Sequence, residues 1–276
     1  MSAEERIRSI ARDLLSKKEV EYFIGFEKGS ANGTSRPCFI REESQVNRLV
    51  WNRYCRNNLA RYLIGATGRV GILAKGCDGV TISQMILENQ VKRESVYIVA
   101  IECGGVEKPE APYSINHKHE LAEHCKRCAT NISPIYDALI ATGDKKPRNI
   151  ETDPWRDPNE WLSEFKNCVR CMACIRSCPL CYCSECAISG SKPWLVSKLQ
   201  LESELATFHL VRALHMAGRC SECGACEMAC PVRIPLTRLY HLVNEKLGEV
   251  PGIWEDRGRL AKVLVGEDAG RHSRQG

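Results

Sequence analysis

The chain has 276 residues, of which 43% are hydrophobic and 17 are cysteine, and its formal net charge is +5. A chain of this size can build ordinary hydrophobic cores, so it does not need disulfides to fold. It has no apolar run of membrane-spanning length, its charged N-terminus does not resemble a signal peptide, and no Lys/Arg run alternates with aromatic residues. We therefore expect a cytoplasmic protein that binds no nucleic acid, and in a reducing cytoplasm so many thiols indicate metal binding.

The first half of the chain alternates between strand-like and helix-like patterns. Ile7, Ile10, Ala11 and Leu14 share one face of a predicted N-terminal helix. The other predicted elements are a strand over 21–26 followed by a Gly/Ser/Asn-rich loop, a helix over 43–63, a strand over 69–74, a helix over 81–90 in which Thr81 and Gln84 form a capping box, and a strand over 96–101. Alternating strands and helices with short connections predict an α/β domain with a small parallel sheet.

The composition changes between residues 141 and 160, where a polar segment contains three prolines. Beyond it the apolar residues follow a helical period, first at Leu201, Leu205 and Phe208 and then from Leu236 to Leu247. We therefore predict an α/β domain over 1–145, an all-α domain over 146–256 and a charged tail over 257–276.

Two copies of one cysteine motif dominate the second half. Both read Cys-x2-Cys-x2-Cys-x3-Cys-Pro, and they begin at Cys168 and Cys220. Three closely spaced thiolates wrap one 4Fe-4S cluster, while the cysteine before the proline usually ligates the other cluster. The expected ligands are Cys168, Cys171, Cys174 and Cys230 for site 1, and Cys220, Cys223, Cys226 and Cys178 for site 2. The alternative, structural zinc, favours paired Cys-x2-Cys motifs without a third equally spaced cysteine.

The spacing between the two motifs resembles that of helical dicluster ferredoxin domains of the heterodisulfide reductase and fumarate reductase iron–sulfur type. The segment RALHMAGRCSECGACEMACPVRIPL carries most of this resemblance, which covers residues 150–250. The resemblance implies two 4Fe-4S clusters that lie close enough together for electron hopping.

Three further cysteines, Cys181, Cys183 and Cys186, directly follow the first motif. Three interpretations remain open for them. Cys181 replaces Cys178 as a ligand, the three build an extra metal site, or they are buried free thiols.

Four cysteines of the first half follow predicted strands or lie in loops near them. Cys77 lies between a strand and a helix start, Cys103 follows the next strand, and Cys125 and Cys128 form a Cys-x2-Cys pair. The carboxyl ends of parallel strands meet at one sheet edge, so these four thiols can close a third 4Fe-4S cluster, which we call site 3.

This region resembles the beta subunits of deazaflavin-coenzyme hydrogenases and formate dehydrogenases. The resemblance lies in strand-Lys75-Gly-Cys77-helix, strand-Cys103-Gly, and Cys125-x2-Cys128 followed by Asp and Gly-Asp. It implies that Cys77, Cys103, Cys125 and Cys128 hold a cluster near a flavin. The domain is short for that family, and its nearest glycine cluster, over 65–71, precedes a strand instead of following one, so FAD is a candidate cofactor only.

The remaining metal-ligand residue types have simpler interpretations. His117, His119 and His124 form either a His/Cys zinc site with Cys125 or, as we favour, part of a solvated helix or loop. We interpret His209, His215 and His241 as packed or surface histidines. Cys38 and Cys55 are expected to be buried thiols, and Lys145 and Lys146 a solvated pair in the linker.

Together these features predict an electron-transfer subunit of a cytoplasmic oxidoreductase complex in anaerobic metabolism. Acid–base residues for bond chemistry are not evident, whereas iron–sulfur clusters exchange single electrons. The expected partners in a hetero-oligomer are a hydrogenase- or formate dehydrogenase-like catalytic subunit and a flavoprotein or heterodisulfide reductase-like protein. The alternatives are a flavin-dependent oxidoreductase that itself reduces a deazaflavin or nicotinamide, and a zinc-ordered interaction module.

Overall fold

The computed structural model of the chain describes residues 1–31, 33–108, 120–128, 130–144, 157–189, 196–197 and 199–248. The expected domain boundary at 145/146, the Lys145–Lys146 pair, His117, His119 and the tail over 257–276 lie outside the described residues. Within the described residues no helix is long and apolar enough to cross a bilayer.

The N-terminal part is built on a five-stranded sheet with the order β2-β1-β3-β4-β5. The strands are β1 (Tyr22–Lys28), β2 (Ser35–Ile40), β3 (Val70–Ala74), β4 (Val96–Ile101) and β5 (Ala138–Ile140). Helix α1 (Ala3–Ser16) packs on the sheet through Ile7, Ala11 and Leu14, as its periodicity predicted. Helix α2 (Gly76–Leu87) connects β3 to β4, and the short helix α3 (Glu123–Arg127) precedes β5.

The sheet is mixed and not wholly parallel, which corrects part of the predicted architecture. The predicted strands β1, β3 and β4 pair in parallel as expected, and β5, which was not predicted, extends the parallel part of the sheet. Strand β2 pairs with β1 in an antiparallel hairpin. The first residues of β2, which include Pro37, were predicted to belong to the Gly/Ser/Asn-rich loop. A proline is compatible with this strand because β2 lies at the edge of the sheet.

The predicted helix over 43–63 is also wrong. Only two short 3-10 segments, Glu43–Arg48 and Leu59–Leu63, form there. Asparagine side chains accept bonds from nearby backbone N–H groups, at 2.8 Å from Tyr54 N to Asn52 Oδ1 and at 3.1 Å from Ala60 N to Asn58 Oδ1. Such local bonds compete with the helical hydrogen-bond pattern and end it.

Helix α2 begins five residues earlier than the sequence suggested. Its start is fixed by Asp78, whose Oδ2 accepts a 2.9 Å bond from the backbone N–H of Lys75. The predicted capping box at Thr81 and Gln84 is therefore wrong, because Thr81 lies inside the helix and its hydroxyl donates to the Cys77 carbonyl at 2.8 Å. As a result, Cys77 belongs to the first turn of α2, directly after β3.

The described C-terminal residues form helices around a second core. These are α4 (Pro158–Phe165), α5 (Ala173–Ser177), α6 (Glu202–Met216), α7 (Ala225–Met228) and α8 (Leu236–Gly248). Helices α5 and α7 are short and each lies inside one copy of the cysteine motif. The helical period beginning at Leu205 and Leu236 is confirmed by α6 and α8, while an all-α domain over 146–256 stays a prediction because part of that range is not described.

The two parts of the chain are joined by side chains that cross between them. Arg219 binds both carboxylate oxygens of Glu88, with Nε to Oε1 at 2.6 Å. The hydroxyls of Thr81 and Ser221 lie 2.7 Å apart, and Arg61 donates to the Cys178 carbonyl at 2.9 Å. These contacts place the second cysteine motif against the start of α2.

Candidate iron–sulfur sites

The two cysteine motifs adopt the same strained backbone. In each copy the residues two and four positions after the first cysteine have positive φ, at Arg170 (48°) and Met172 (61°) in one copy and at Glu222 (52°) and Gly224 (71°) in the other. Non-glycine residues rarely adopt this conformation, and such strain collects at functional sites. The repeated geometry turns successive cysteines of each loop toward a common centre.

Backbone N–H groups point at the cysteine sulfurs of these loops. Arg170 N donates to Cys168 Sγ at 3.4 Å, and Glu222 N donates to Cys220 Sγ at 3.3 Å. Hydrogen bonds of this kind stabilise negative charge on sulfur and help to set the potential of a bound cluster.

The thiols expected at site 2 line one narrow cavity. Cys178, Cys220, Cys223 and Cys226 surround it, together with Arg212, Tyr240 and residues of the second loop. Burial raises the pKa of Cys220 to about 12 and raises that of Cys226 well above its usual value. Without a metal these thiols stay protonated at neutral pH, so a bound metal must displace their protons.

The thiols expected at site 1 also lie close together. Burial raises the pKa of Cys174 to about 11, and the nearby sulfurs of Cys168, Cys230 and Cys171 act in the same direction. Arg212 opposes them. Cys171 is exposed whereas Cys174 is buried, so site 1 reaches the protein surface on one side.

The four cysteines expected at site 3 line another common cavity. Cys77, Cys103, Cys125 and Cys128 come from the start of α2, from the end of β4 and from α3. Gly105 N and Val106 N each donate to a sulfur at 3.4 Å, the acceptors being Cys103 and Cys125. The carboxyl edge of the sheet thus gathers these thiols, as the parallel strands predicted.

A buried ion pair supports the Cys77 turn. Lys75 Nζ lies 2.8 Å from Asp78 Oδ2, and the two side chains are only 2% and 0% exposed. The same ammonium group donates to the Asn57 carbonyl at 2.8 Å and lies 4.8 Å from the centre of the Phe26 ring. Asp78 also accepts a 2.9 Å bond from Leu59 N, so this carboxylate ties together both sides of the turn.

Sites 2 and 3 share walls. The ring of His124 lies 3.4 Å from Cys125 Sγ through Nε2, and it packs so tightly on Gly224 that an added Cβ would be 2.1 Å from Nδ1. Glu222 of the second motif lines the cavity of site 3. His124 is therefore buried between two candidate sites, which corrects the prediction that it belongs to a solvated loop.

Cys181, Cys183 and Cys186 lie in three different environments. Cys181 accepts a 3.6 Å contact from Arg212 Nη1 and packs near Cys178, Cys183 is exposed, and Cys186 packs on the C-terminal core. The cavity of site 2 is lined by Cys178 and not by Cys181. An extra metal site at these three cysteines stays a prediction.

The other singled-out residues pack as ordinary side chains. Cys38 and Cys55 are buried thiols in the N-terminal core. His209 is buried against Phe165, with ring centres 4.5 Å apart, and His241 Nδ1 lies 2.8 Å from Glu222 Oε2.

The sequence interpretation missed one central residue, Arg212. It lies on α6 in line with the buried Leu205, Phe208 and Met216, at the spacing of a helical stripe. The sequence alone could have identified Arg212, because it is a single arginine within an apolar helical stripe.

The donor sets fit iron–sulfur clusters. Each consists of four thiols from neighbouring loops, with backbone N–H groups directed at sulfur. A buried Arg212 beside site 1 and site 2 suits anionic ligand shells. These thiols would hold the clusters through thiolate bonds.

Comparison with known proteins supports the same class. Residues 164–234 match the 4Fe-4S dicluster domain family. A beta subunit of F420-dependent formate dehydrogenase 1 from Methanococcus maripaludis is 37% identical over 353 residues, covering 90% of each chain. The corresponding subunit of the F420-dependent formate dehydrogenase from Methanocaldococcus jannaschii is 22% identical over 349 residues, covering 90% of this chain and 91% of the relative.

The fold and the match define an iron–sulfur protein with a C-terminal 4Fe-4S dicluster domain. The chain belongs to the beta-subunit family of F420-dependent formate dehydrogenases. Both alignments are longer than this chain of 276 residues, so the relatives carry inserted segments that it lacks.

Proposed function

We propose that this chain is the iron–sulfur electron-transfer subunit of a formate dehydrogenase-like complex. The observation that carries the proposal is the repeated positive-φ backbone of the two cysteine loops. A structural zinc site has no need of two such matched loops with a third cysteine each. Clusters bound there would supply one-electron transfer, and the protein would set their spacing, burial and surrounding charge.

The contacts between sites favour a linear order with site 2 in the middle. Cys77 of site 3 lies near enough to Cys223 of site 2 for their charges to interact, and Cys174 of site 1 stands in the same relation to Cys226. Site 1 includes the exposed Cys171. We therefore propose that electrons pass between a partner protein at site 1 and the sheet edge at site 3 through site 2.

The proposed partners are supported by the relatives, which are formate dehydrogenase subunits. We propose a hetero-oligomer with a formate dehydrogenase- or hydrogenase-like catalytic subunit and a flavoprotein or heterodisulfide reductase-like acceptor, in the cytoplasm. We retain the division into an α/β domain over 1–145 and a ferredoxin domain over 146–256 as part of this proposal.

The direct test is metal analysis with single-cysteine variants of the full chain purified without oxygen. Three clusters correspond to about twelve iron and twelve sulfide per chain. Cys171→Ser and Cys223→Ser should each abolish one low-temperature paramagnetic centre of the reduced protein, while Cys38→Ala, a control thiol in the N-terminal core, should leave all of them. Survival of every centre in both variants would refute the ligand assignment. Zinc without acid-labile sulfide would select the interaction module instead.

A second candidate function is direct reduction of a deazaflavin or nicotinamide by bound FAD. It is favoured by a cavity of about 490 Å³ beside Cys230 and His124, which has the size of a cofactor pocket. Its charged lining is balanced, with the cations Lys108, Arg233 and Arg238 and the carboxylates Glu123, Glu164 and Glu227, so the size of the cavity and not its charge supports this function. Stoichiometric FAD in the purified chain, with acceptor reduction by that chain alone, would support this function, and its absence beside full iron content would support the relay.

A further inference from the structure

Arg212 is a buried cation at the centre of the C-terminal part. Its side chain is 2% exposed, and each end of the guanidinium has a partner. Nε donates to the Tyr240 hydroxyl at 2.7 Å, Nη2 donates to the Cys174 carbonyl at 2.7 Å, and Nη1 approaches Cys181 Sγ at 3.6 Å. These bonds fix the guanidinium between α8 and the first cysteine motif.

The partners of Arg212 are neutral groups. Within the described part of the chain no aspartate or glutamate forms an ion pair with it. Burying an unpaired charge costs several kcal/mol, so proteins provide a counter-charge wherever a cation is buried. The counter-charge of Arg212 must therefore come from something other than a carboxylate.

The ionisable groups near the guanidinium that can become anions are a phenol and cysteine thiols, whereas His209, which Arg212 also affects, can only add positive charge. Besides Tyr240 and Cys181, the neighbours whose charge acts on Arg212 include Cys174 of site 1 and Cys226 of site 2. The cavity of site 2 is also lined by Arg212 itself. One cation thus faces ligands of both C-terminal sites.

We infer that Arg212 is the shared counter-charge of sites 1 and 2, and a positioning residue for the Cys174 carbonyl and its loop. This inference rests on the proposed function, because the anions it requires are the thiolate shells of bound clusters. A fixed cation near an iron–sulfur cluster favours the reduced, more negative state. Because Arg212 faces both sites, it adds this favourable interaction to the reduction of each cluster.

The inference predicts how the midpoint potentials of the two clusters change when the charge is removed. In Arg212→Met both potentials should shift to more negative values. In Arg212→Lys, which keeps a cation but loses the planar fork, both potentials should lie between those of Arg212→Met and the unaltered protein. A merely structural role would not produce this graded order.

The test is a potentiometric titration of the anaerobically purified full chain, followed by low-temperature paramagnetic resonance with iron and sulfide counted on each sample. Arg93→Met is the matched control, since it also removes one arginine charge but at a place away from the cysteines, where Arg93 pairs with Asp137 at 2.7 Å, and it should leave both potentials near their original values. If Arg212→Met does not retain its iron, the midpoint potentials are measured on Arg212→Gln. This variant also lacks the charge but keeps a donor for the Cys174 carbonyl.

The outcomes separate the inference from the proposed function. Full iron and sulfide with both potentials shifted in the graded order supports the inference. Full iron and sulfide with unchanged potentials, or with a shift at one site only, overturns it while leaving the relay intact. An unaltered chain without iron and sulfide overturns the proposed function itself.

Discussion

Asp78 should be the residue whose loss most damages site 3 without removing a sulfur ligand. Its carboxylate accepts bonds from Lys75 N and Leu59 N, both at 2.9 Å, and pairs with Lys75 Nζ at 2.8 Å. Both charged side chains are fully enclosed, so Asp78→Ala leaves the Lys75 cation buried without its anion. Removing one partner of a buried ion pair typically costs about 3–5 kcal/mol.

We therefore expect Asp78→Ala to lower the free energy of unfolding by about 3–5 kcal/mol, a large share of the total stability of a typical protein. The same change releases the turn that carries Cys77, so about four of twelve iron atoms should be lost while the C-terminal clusters remain. The assays are chemical unfolding followed by circular dichroism, and iron and sulfide counts on the anaerobic protein.

Two variants make this experiment specific. Lys75→Met/Asp78→Leu removes both charges and should cost clearly less than the sum of the single variants. Asp137→Ala is the matched control, because Asp137 also accepts a backbone bond, from Ile98 N at 2.7 Å, and pairs with Arg93, but it lies away from the cysteines. An unchanged iron count in Asp78→Ala, or equal iron loss in Asp137→Ala, would refute the reasoning.

Two further predictions concern stability. Burial lowers the pKa of His209 to about 4, and Arg212 acts in the same direction, so the unfolded chain binds more protons than the folded one as the pH falls from about 6.5 to 4. Between pH 7.5 and 5.5 the free energy of unfolding of the unaltered protein should fall by about 1 kcal/mol because of this group, and that of His209→Phe should not. The same pH dependence of unfolding in both proteins would contradict this prediction. Glu88→Gln weakens the paired bonds to Arg219 and should cost about 1–2 kcal/mol in the same assay, whereas no loss would show that this contact does not hold the two parts together.

The sequence predicted best those features that depend on short-range patterns. The buried strands β3 and β4 and the helices α1, α6 and α8 show clear apolar periods, and the structure confirms them. The cysteine motifs carry their spacing within a few residues, so the dicluster match at residues 164–234 was also accessible from sequence.

The errors arose where strand pairing or side-chain hydrogen bonds override the local pattern of residue types. The Gly/Ser/Asn-rich pattern predicted a loop, but pairing with β1 at the sheet edge makes its last residues part of β2. The apolar residues between 43 and 63 suggested a helix, but the side chains of Asn52 and Asn58 capture backbone N–H groups there. A single sequence carries no record of which neighbours a segment will meet in space.

The same limit applies to the candidate sites. Sequence spacing grouped the cysteines into three sets, but it gave no indication that His124 and Glu222 would stand at the boundary between site 2 and site 3. Nor did it reveal the role of Lys75 and Asp78, whose pairing depends on the burial of the whole turn.

The shared wall between sites 2 and 3 has a consequence for maturation of the protein. The cavity of site 3 is formed by four N-terminal cysteines, but Glu222 completes its lining from far along the chain. While the ribosome is still synthesising the chain, the sheet can fold before that residue has emerged. At that stage one side of the cavity around the N-terminal thiols is not yet formed. The described lining of site 3 is therefore complete only after the second cysteine loop has docked on the N-terminal part.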